Sequence, residues 1–413
     1  MAVVTLKAES PAYGGLSIGR WKGKIVFIKG VVPGETIEAE IEEEKKDYYK
    51  ASAVKIAEYS PDRIKPLCRY FGACGGCQLQ YISYQRQIRL KEEILKDCLK
   101  RLAKIEINLS ESLAGNPYNY RHRGQFKVSR GGIGFYREKT REVIDIESCP
   151  LMINEINELL AKTKKFLKGE RLFSEIKEIH ISYGDEATAL IKAKDRRLSA
   201  WNDFAAAMIG SGFSGVFMDF GDNKPLKQGK EFITLNLDSQ KYTLSPMSFL
   251  QSNWRLNLDV VRLLKDCLQP LRGKRVLDMY AGAGNFSLPV SLDAGEVIAV
   301  EENPYAVEDG KRNVRINAIK NCRFIRSSIE AVNVKGRVDI LITDPPRAGL
   351  TNRAVEKIIS MTPERIAYVS CNPTTLARDL KKLLVKYDIE SLRVIDFFPQ
   401  TYHIEALAFL GLK

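Results

Sequence analysis

Long hydrophobic runs are missing from this sequence. Its 413 residues contain no stretch that approaches the roughly 18 uninterrupted apolar residues of a membrane-spanning helix. The N-terminus also lacks the basic stretch followed by an apolar block that marks a secretory signal. Both absences argue against secretion and against membrane insertion, so we expect a cytoplasmic protein.

Cysteine is also scarce. Eight cysteines are too few for a disulfide scaffold in a chain of this length, so metal binding and catalysis are the first roles to consider for them. A charge-rich sequence with only ten glutamines is typical of a thermophile, in which intracellular disulfides also occur. The 45% hydrophobic content is ample for two or three packed domains.

Acidic residues are outnumbered by basic ones. Lys and Arg total 64 against 51 Asp and Glu, which gives a net charge of +13 and favours a polyanionic partner, either nucleic acid or an anionic membrane surface. Seven of these cations and one acid lie between residues 120 and 141, interleaved with aromatic residues. This pattern suits phosphate contacts beside base stacking, and it predicts that Arg121 and Arg123 contact RNA. A merely solvated charged face is the alternative.

The first sixty residues predict a small β-barrel. Short β-rich runs are broken by glycine, and turn signals occur at Gly14-Gly15 and Pro33-Gly34. We interpret residues 1–60 as an OB-like antiparallel barrel that binds RNA, with an ordinary β subdomain as the alternative. The predicted strands are Val3–Leu6, Lys24–Ile28, Thr36–Ile41 and Ala51–Ile56. After them, apolar residues at helical spacing predict one amphipathic helix over 83–105.

The last third of the chain predicts a doubly wound α/β domain. Near-continuous apolar strands separated by helical lengths indicate a buried parallel sheet, whose ligands bind at the carboxyl ends of the strands. The predicted strands are 275–279, 296–301, 323–325, 338–342 and 365–370. Residues 170–240 alternate between helix-like and strand-like stretches and contain no recognisable chemical motif.

A glycine loop follows the first of these strands. Asp278 to Phe286 contains two glycines that allow a tight turn against a ligand, and Glu301 closes the next strand, where a carboxylate can accept hydrogen bonds from ribose hydroxyls. A dinucleotide site would have its third glycine or alanine at position 287, which is Ser287. The arrangement resembles S-adenosylmethionine-dependent methyltransferases more than enzymes that bind NAD or FAD.

Two further strand ends carry reactive groups. Cys371 follows the strand 365–370, and Glu405 lies on the final apolar strand. Carbon 5 of uracil cannot attack a methyl group unaided, but addition of a thiolate at C6 makes C5 nucleophilic, and a carboxylate must then remove the C5 proton. A cysteine followed by a base therefore fits carbon methylation of a pyrimidine. A buried structural cysteine and a solvent-facing glutamate remain the alternatives.

Three motifs together resemble the RNA uracil-C5-methyltransferase family. They are Asp344-Pro345-Pro346-Arg347-Ala348-Gly349, Ser370-Cys371-Asn372-Pro373 and His403-Ile404-Glu405. The resemblance implies a class I, Rossmann-like α/β methyltransferase domain, with Cys371 as nucleophile and Glu405 as base. The N-terminal barrel resembles the TRAM domain that many members carry. Phe249-Leu250-Gln251-Ser252-Asn253 is similar to another family segment, which implies that Gln251 contacts the cofactor and that Phe249 lies near the target base.

The same resemblance implies the rest of the ligand site. We expect Tyr280, Asn285, Glu301, Ser328 and Asp344 to contact S-adenosylmethionine, with Asp344 also near the uracil. Family members modify either the T-loop uridine of transfer RNA, uridine-54, or uridines of 23S ribosomal RNA. We favour transfer RNA because a charge of +13 on a compact chain suits a small folded substrate. Methylation of cytosine C5 and RNA binding without catalysis remain alternatives.

A cysteine cluster indicates a metal site. Cys68, Cys74 and Cys77 are close in sequence, and Cys149 supplies a fourth sulfur after 71 intervening residues. Zinc fits this spacing, but the pattern resembles the one that holds a [4Fe–4S] cluster in cluster-containing members of the family. We expect that cluster to be structural, with no redox role in methyl transfer.

The chain is thus expected to form three modules. Residues 1–60 form the barrel, residues 61–240 form a central α/β domain with the cluster cysteines and the basic segment, and residues 241–413 form the methyltransferase domain. The helix near 84–104 is expected to pack on the last of these. No obligate protein partner is indicated, so we expect a monomer.

Overall fold

The N-terminal segment folds into a six-stranded sheet. The computed structural model describes residues 2–167, 171–198, 200–222 and 224–413. The first six strands are β1 (Val3–Lys7), β2 (Ser10–Ala12), β3 (Leu16–Trp21), β4 (Lys24–Lys29), β5 (Thr36–Glu44) and β6 (Tyr48–Glu58). Their order is β1-β5-β6-β4-β3-β2. Because only Ala8 and Glu9 separate β1 from β2, which stand at opposite ends of this order, the sheet must curl back on itself.

This sheet confirms the four strands that the sequence predicts there and adds two, β2 and β3. One pairing differs from the expected antiparallel barrel, because β4 and β6 run parallel. Alternate residues of the strands point inward, and Val26, Ile28, Ile37 and Ala39 form the centre of a small apolar core. The turn between β2 and β3 contains Tyr13, Gly14 and Gly15.

An irregular segment and a helix follow. Residues 59–83 contain Cys68, Cys74 and Cys77, and α1 then runs from Tyr84 to Cys98 before a π-helical turn over Leu99–Ala103. The predicted helix is confirmed. Leu95 and Leu99 on its buried face belong to the core beneath the C-terminal sheet, so α1 packs on that part of the chain.

The central region contains a seven-stranded sheet, whose individual strands were not predicted from the sequence. Its strands are β7 (Arg123–Ser129), β8 (Gly132–Tyr136), β9 (Val143–Asp145), β10 (Ile176–Tyr183), β11 (Ala187–Ala193), β12 (Gly215–Asp219) and β13 (Leu226–Gly229), in the order β13-β12-β11-β10-β7-β8-β9. The helices α2 (Asn154–Leu167) and α3 (Trp201–Gly210) supply apolar residues to its core.

A hairpin and a helix connect this sheet to the last one. The hairpin consists of β14 (Ile233–Leu237) and β15 (Gln240–Leu244), and the helix is α4 (Trp254–Cys267). Asn253 caps α4, since its side-chain oxygen accepts a hydrogen bond from the Leu256 N–H. The cap fixes the end of the segment 245–253, which carries Phe249 and Gln251.

The C-terminal sheet has seven strands. They are β16 (Arg275–Met279), β17 (Glu296–Glu301), β18 (Cys322–Arg326), β19 (Ile340–Thr343), β20 (Arg365–Ser370), β21 (Tyr387–Ile395) and β22 (Glu405–Leu412). The helices among them are α5 (Ser287–Ser291), α6 (Pro304–Ile316), α7 (Asn352–Met361) and α8 (Pro373–Leu383). The order is β18-β17-β16-β19-β20-β22-β21. The first five are parallel, as predicted, and β22 lies antiparallel between β20 and β21.

The predicted boundaries of the five parallel strands hold to within two residues, and the fourth parallel strand begins at Ile340 rather than at residue 338. Most side chains of β16 to β20 are buried on both faces, as a sheet covered by helices requires. No helix in the described ranges is both long enough and apolar enough to span a bilayer.

Candidate active site

A cavity of about 740 Å³ opens at the carboxyl ends of the parallel strands. This is the edge of an open α/β sheet at which ligands bind, and the volume suits a nucleotide-sized ligand. Each of the five parallel strands contributes a lining residue from the turn that follows it or from its last position. These residues are Tyr280, Glu301, Ser328, Asp344 and Cys371.

Cys371 and Glu405 meet in this cavity because of strand pairing. Ser370 is the last residue of β20, and it pairs with Ala406 of the antiparallel strand β22. Cys371 follows Ser370 and Glu405 precedes Ala406, so the antiparallel register places Cys371 beside Glu405. Both line the cavity. Cys371 is half-buried, whereas Glu405 is only 7% exposed.

Burial sets the protonation of these two groups. It raises the pKa of the Cys371 thiol to about 11, with help from the nearby Glu405 and Asp344 carboxyls, while the charge of Arg347 lowers it. Burial also raises the pKa of Glu405 well above its usual range, and the Asp344 and Asp396 carboxyls add to this. The thiol therefore holds its proton at neutral pH, and burial favours the protonated form of Glu405 over its carboxylate. Arg347 lowers the pKa of this thiol, but the two carboxyls have a larger effect in the opposite direction.

The backbone of the glycine loop after β16 allows a ligand to approach it closely. Gly284 has a φ of +97°, and a Cβ there would lie 2.1 Å from Cδ1 of Leu288, so only glycine fits. The Glu301 carboxylate accepts hydrogen bonds from the N–H groups of Gly282, Glu302 and Asn303 at 2.7 to 2.9 Å. These bonds hold the carboxylate in the cavity wall.

Gln251 presents a buried hydrogen-bond acceptor without a partner at the cavity wall. Its side chain is 7% exposed, it lines the cavity, and its Oε1 has no hydrogen-bond partner. A buried acceptor without a partner is costly unless a ligand supplies a donor. Asp344 lies in the same wall, and burial raises its pKa to about 7.

Asn285 stands slightly apart from the other predicted cofactor residues. It lines a small adjoining cavity of about 60 Å³, together with Gln251, Tyr280 and Asp344. Its side-chain amide pairs with that of Asn257 on α4 through two hydrogen bonds of 2.7 and 3.0 Å. Asn257 is fully buried and was not identified from the sequence, because a lone asparagine inside a helix carries no local signal.

The residues predicted to touch RNA fall in different surroundings. Phe249 is 67% exposed at the cavity wall, which suits a contact with an incoming base. Arg121 lies over the ring of Phe398, 5.5 Å from its centroid. Arg123 is only 8% exposed, and its guanidinium donates to the Ser182 hydroxyl and the Ser248 carbonyl.

Arg123 therefore serves to join β7 to the segment 245–253 in this arrangement, and this corrects the view of the whole basic stretch as a stacking surface. Phe126 is fully buried, because strand alternation along β7 turns its ring into the interior, and Tyr120, which precedes β7, is 2% exposed. The burial of Arg123 also lowers its pKa to about 10.

The four cluster cysteines lie near one another in space. The charges of Cys68, Cys74, Cys77 and Cys149 act on one another, and Arg121 acts on Cys77 and Cys149. None of the eight cysteines forms a disulfide. Within the described residues, no group of His, Cys, Asp or Glu has the arrangement that holds a metal ion.

The loop from Asp396 to Ile404, which we call the catalytic loop, leads into Glu405. It is held by residues from the first 120 positions. Lys91 of α1 donates to the Asp396 carboxylate at 2.6 Å and to the Phe398 carbonyl at 3.1 Å. Gln87 exchanges two hydrogen bonds with Gln400 at 2.9 and 3.0 Å. Neither Lys91 nor Gln87 was identified from the sequence, since each looks like an ordinary polar residue of an amphipathic helix.

Two family models match the chain. The tRNA (Uracil-5-)-methyltransferase model matches residues 83–413, and the TRAM domain model matches residues 2–54. The first match covers the cavity, the catalytic loop and the central sheet, and the second covers most of the six-stranded N-terminal sheet.

Relatives and a solved structure match over almost the full length. An RNA methyltransferase of Aquifex aeolicus is 36% identical over 99% of this chain and 98% of its own. The 23S rRNA (uracil(1939)-C(5))-methyltransferase RlmD of Shewanella amazonensis is 33% identical over 99% and 96%. The structure of the Pyrococcus abyssi tRNA (uracil-54, C5)-methyltransferase in complex with S-adenosyl-L-homocysteine matches with a TM-score of 0.79 and 29% identity, over 98% of this chain and 99% of that one.

The raised pKa of Cys371 predicts a specific alkylation profile. Alkylation by iodoacetamide requires the thiolate, so its rate at Cys371 should rise about tenfold per pH unit from neutral pH until the pH approaches the pKa of about 11. Asp344→Asn removes a carboxyl that raises this pKa and should speed alkylation at a given pH, whereas Arg347→Gln should slow it. Peptide mapping by mass spectrometry measures the rate.

Glu390→Gln is the matched control, because Glu390 is exposed and lies outside the cavity wall. It should leave the profile unchanged. A rate at Cys371 that is already maximal near pH 8 would contradict the raised pKa.

Proposed function

The chain belongs to the tRNA (uracil-5-)-methyltransferase family, and from this premise we propose how its residues perform the reaction and which RNA they modify. It is an S-adenosylmethionine-dependent RNA (uracil-C5)-methyltransferase with an N-terminal TRAM domain and a class I α/β fold. The observation that carries the mechanism is the meeting of Cys371 and Glu405 across paired strand ends in one cavity.

The cavity residues fit S-adenosylmethionine, which supplies an electrophilic methyl group when bound. Gln251 offers an acceptor without a partner, and Glu301 and Asp344 offer carboxylates in the same wall. We assign these three residues to the cofactor together with Tyr280 and Ser328, which also line the cavity. Asn285 bonds to Asn257, which fixes the loop after β16 against α4, and we also assign it to the cofactor because it lines the adjoining small cavity with Gln251 and Tyr280.

The first chemical step belongs to Cys371. Its sulfur adds to C6 of the uracil, the electron pair of the C5–C6 double bond moves toward O4, and C5 becomes nucleophilic enough to accept the methyl group. The thiol must first lose its proton to solvent, which reaches this half-buried sulfur. Arg347 is the cation that favours the thiolate against the neighbouring carboxyls.

The second step belongs to Glu405. Once C5 carries the methyl group it still holds its original proton, and the Glu405 carboxylate removes this proton while the bond between the Cys371 sulfur and C6 breaks. The C5–C6 double bond is restored and the thiolate is regenerated. A carboxylate with a raised pKa is a stronger base once ionised, so burial of Glu405 favours this step.

Two substitutions separate these steps. Cys371→Ala should lower kcat by about 10⁴-fold or more and abolish the covalent adduct with RNA that contains 5-fluorouridine. Glu405→Gln should lower kcat by about 10²- to 10⁴-fold and let a methylated adduct with ordinary RNA accumulate, because the C5 proton is retained. Denaturing gels and intact-mass measurement detect both adducts.

Cys267→Ala and Glu390→Gln are matched controls, since neither residue lines the cavity. An adduct that persists in Cys371→Ala would assign the nucleophile to another residue. Fast release of product by Glu405→Gln would show that another group acts as base.

We propose the T-loop uridine of transfer RNA, uridine-54, as the target. The full-length similarity to the Pyrococcus abyssi tRNA (uracil-54, C5)-methyltransferase and the net charge of +13 support this choice. A uridine of 23S ribosomal RNA is the second candidate, because relatives that are 33% identical are named for that substrate.

A direct comparison decides between the targets. Transfer RNA transcripts and 23S fragments are incubated with the enzyme and labelled S-adenosylmethionine, and the modified nucleotide is mapped. Label at uridine-54 of transfer RNA, lost when that uridine is changed to cytidine, is the expected result. Label confined to the ribosomal fragment would replace the proposed target, and label on neither RNA or on cytosine would overturn the function.

We also propose that Cys68, Cys74, Cys77 and Cys149 hold a structural [4Fe–4S] cluster. Four thiols within electrostatic reach of one another and free of disulfides form the donor set that such a cluster uses. A four-iron cluster is larger than a single ion, so its ligands stand further apart than those of an ion site. The cluster would tie the segment 59–83 to the basic segment.

Anaerobic purification tests this proposal. The protein should contain iron and acid-labile sulfide in equal amounts, and Cys77→Ser should lose most of both, whereas Cys267→Ser should retain them. Zinc without sulfide, or iron that survives Cys77→Ser, would contradict the assignment.

A further inference from the structure

We propose that Tyr13 and Tyr402 form a stacking site for a nucleobase that neighbours the target uridine in the RNA. This inference rests on the proposed function, because it concerns the same RNA substrate. It assigns to the N-terminal barrel a direct part in placing the substrate at the catalytic cavity.

The barrel reaches the catalytic loop through one tight turn. Gly14 and Gly15, which follow Tyr13, have φ values of +97° and +76°. A Cβ on Gly15 would lie 3.0 Å from Cβ of Gln78 and 3.6 Å from Cβ of Tyr402. The turn therefore rests against the catalytic loop, and the left-handed backbone of two glycines allows this approach.

A continuous row of rings runs from this turn to the cavity. The Tyr13 ring meets Tyr402 edge to face at 5.7 Å between centroids, and Tyr402 lies 4.4 Å from His403. His403 lies 5.7 Å from Phe398, and both of these line the cavity. Tyr13 is also close enough to Cys371 and Arg347 for their charges to act on its phenol, whose pKa is raised chiefly by burial.

The outer three rings of the row, those of Tyr13, Tyr402 and His403, are not part of an apolar core, whereas Phe398 packs against the core of the C-terminal sheet. Tyr13 is 36% exposed, and Tyr402 and His403 keep part of their surface exposed. None of the three belongs to the core clusters of the barrel or of the C-terminal sheet. Partly exposed rings of this kind, held by a tight turn, are available to stack on a ligand.

The charges beside the row suit the RNA backbone. A guanidinium nitrogen of Arg347 lies 3.1 Å from Nδ1 of His403, and Arg121 lies over Phe398. Burial and the charges of Arg347, Arg121 and Lys91 lower the pKa of His403 to about 4, so its ring is neutral and Arg347 can approach it. Arg347 is exposed, and a cation beside partly exposed rings is the arrangement that binds single-stranded nucleic acid.

The occupant follows from the position of the row. When the target uracil enters the cavity to reach Cys371, its neighbours in the strand lose their stacking partner and lie at the cavity entrance. The row begins at that wall and leads away over Tyr402 to Tyr13. A flanking base that stacks there would recover part of the stacking energy that is lost on entry.

The experiment combines variants with abasic RNA. Dissociation constants are measured with full-length protein and the RNA that the enzyme methylates, intact or with one abasic nucleotide on either side of the target uridine. Loss of one base–aromatic stack weakens binding by about five- to a hundredfold, so Tyr13→Ala should weaken binding of intact RNA within that range. Tyr13→Phe keeps the ring and should retain most of the affinity.

The decisive result is non-additivity. At one of the two flanking positions, removal of the base should weaken binding to the wild-type protein as much as Tyr13→Ala weakens binding of intact RNA. When Tyr13→Ala is combined with the abasic RNA, affinity should fall little further. Tyr59→Ala is the matched control, because Tyr59 is 70% exposed on the barrel side of the chain and does not line the cavity. It should bind every RNA like the wild type, and affinity for S-adenosylmethionine should be unchanged in all variants.

Two outcomes would overturn the inference. One is that Tyr13→Ala binds intact RNA with unchanged affinity. The other is that Tyr13→Ala and the abasic nucleotide weaken binding additively at both positions, as expected if Tyr13 only stabilises the turn. Wild-type protein that methylates no uridine would instead refute the proposed function, so the two failures are distinguishable.

Discussion

The pairing of β20 with β22 is the constraint on which the site depends. Ser370 faces Ala406 in an antiparallel register, and this alone brings Cys371 beside Glu405, although 34 positions separate them in the chain. A slip of one residue would turn the Glu405 side chain to the opposite face of the sheet. The same pairing buries both groups, and burial is the largest cause of their raised pKa values. Position and reactivity therefore have one structural origin.

The catalytic loop shows why the first 120 residues matter for chemistry in the last third. Lys91 and Asp396 form an ion pair with side chains 2% and 0% exposed, and breaking such a buried pair costs about 3–5 kcal/mol. The Tyr120 hydroxyl donates to the Pro399 carbonyl, and the N–H groups of Gln78 and Leu79 donate to the Gln400 carbonyl. Because Gln78 follows Cys77 directly, order in the cysteine segment is transmitted to the loop that leads into Glu405.

The sequence predicted what local patterns encode. Apolar runs located the five parallel strands, and helical spacing located α1. Strand ends then brought Cys371, Asp344 and Glu301 into one cavity, as the rule for open α/β sheets requires. The interpretation of residues 120–141 as a stacking surface was wrong for Phe126, because alternation along β7 places its ring in the core, whereas Tyr136 is 39% exposed. The contact between Tyr13 and Tyr402 joins distant parts of the chain, and no local sequence pattern predicts it.

The central claim is that one cavity holds both the nucleophile for C6 and the base for C5. A crystal structure of the complex that forms from the enzyme, S-adenosylmethionine and RNA containing 5-fluorouridine at the target position tests it most directly. The account predicts continuous electron density between Sγ of Cys371 and C6, with the Glu405 carboxyl beside C5. An ordered uracil in the cavity with no bond to Cys371, or with Glu405 turned away from C5, would contradict it.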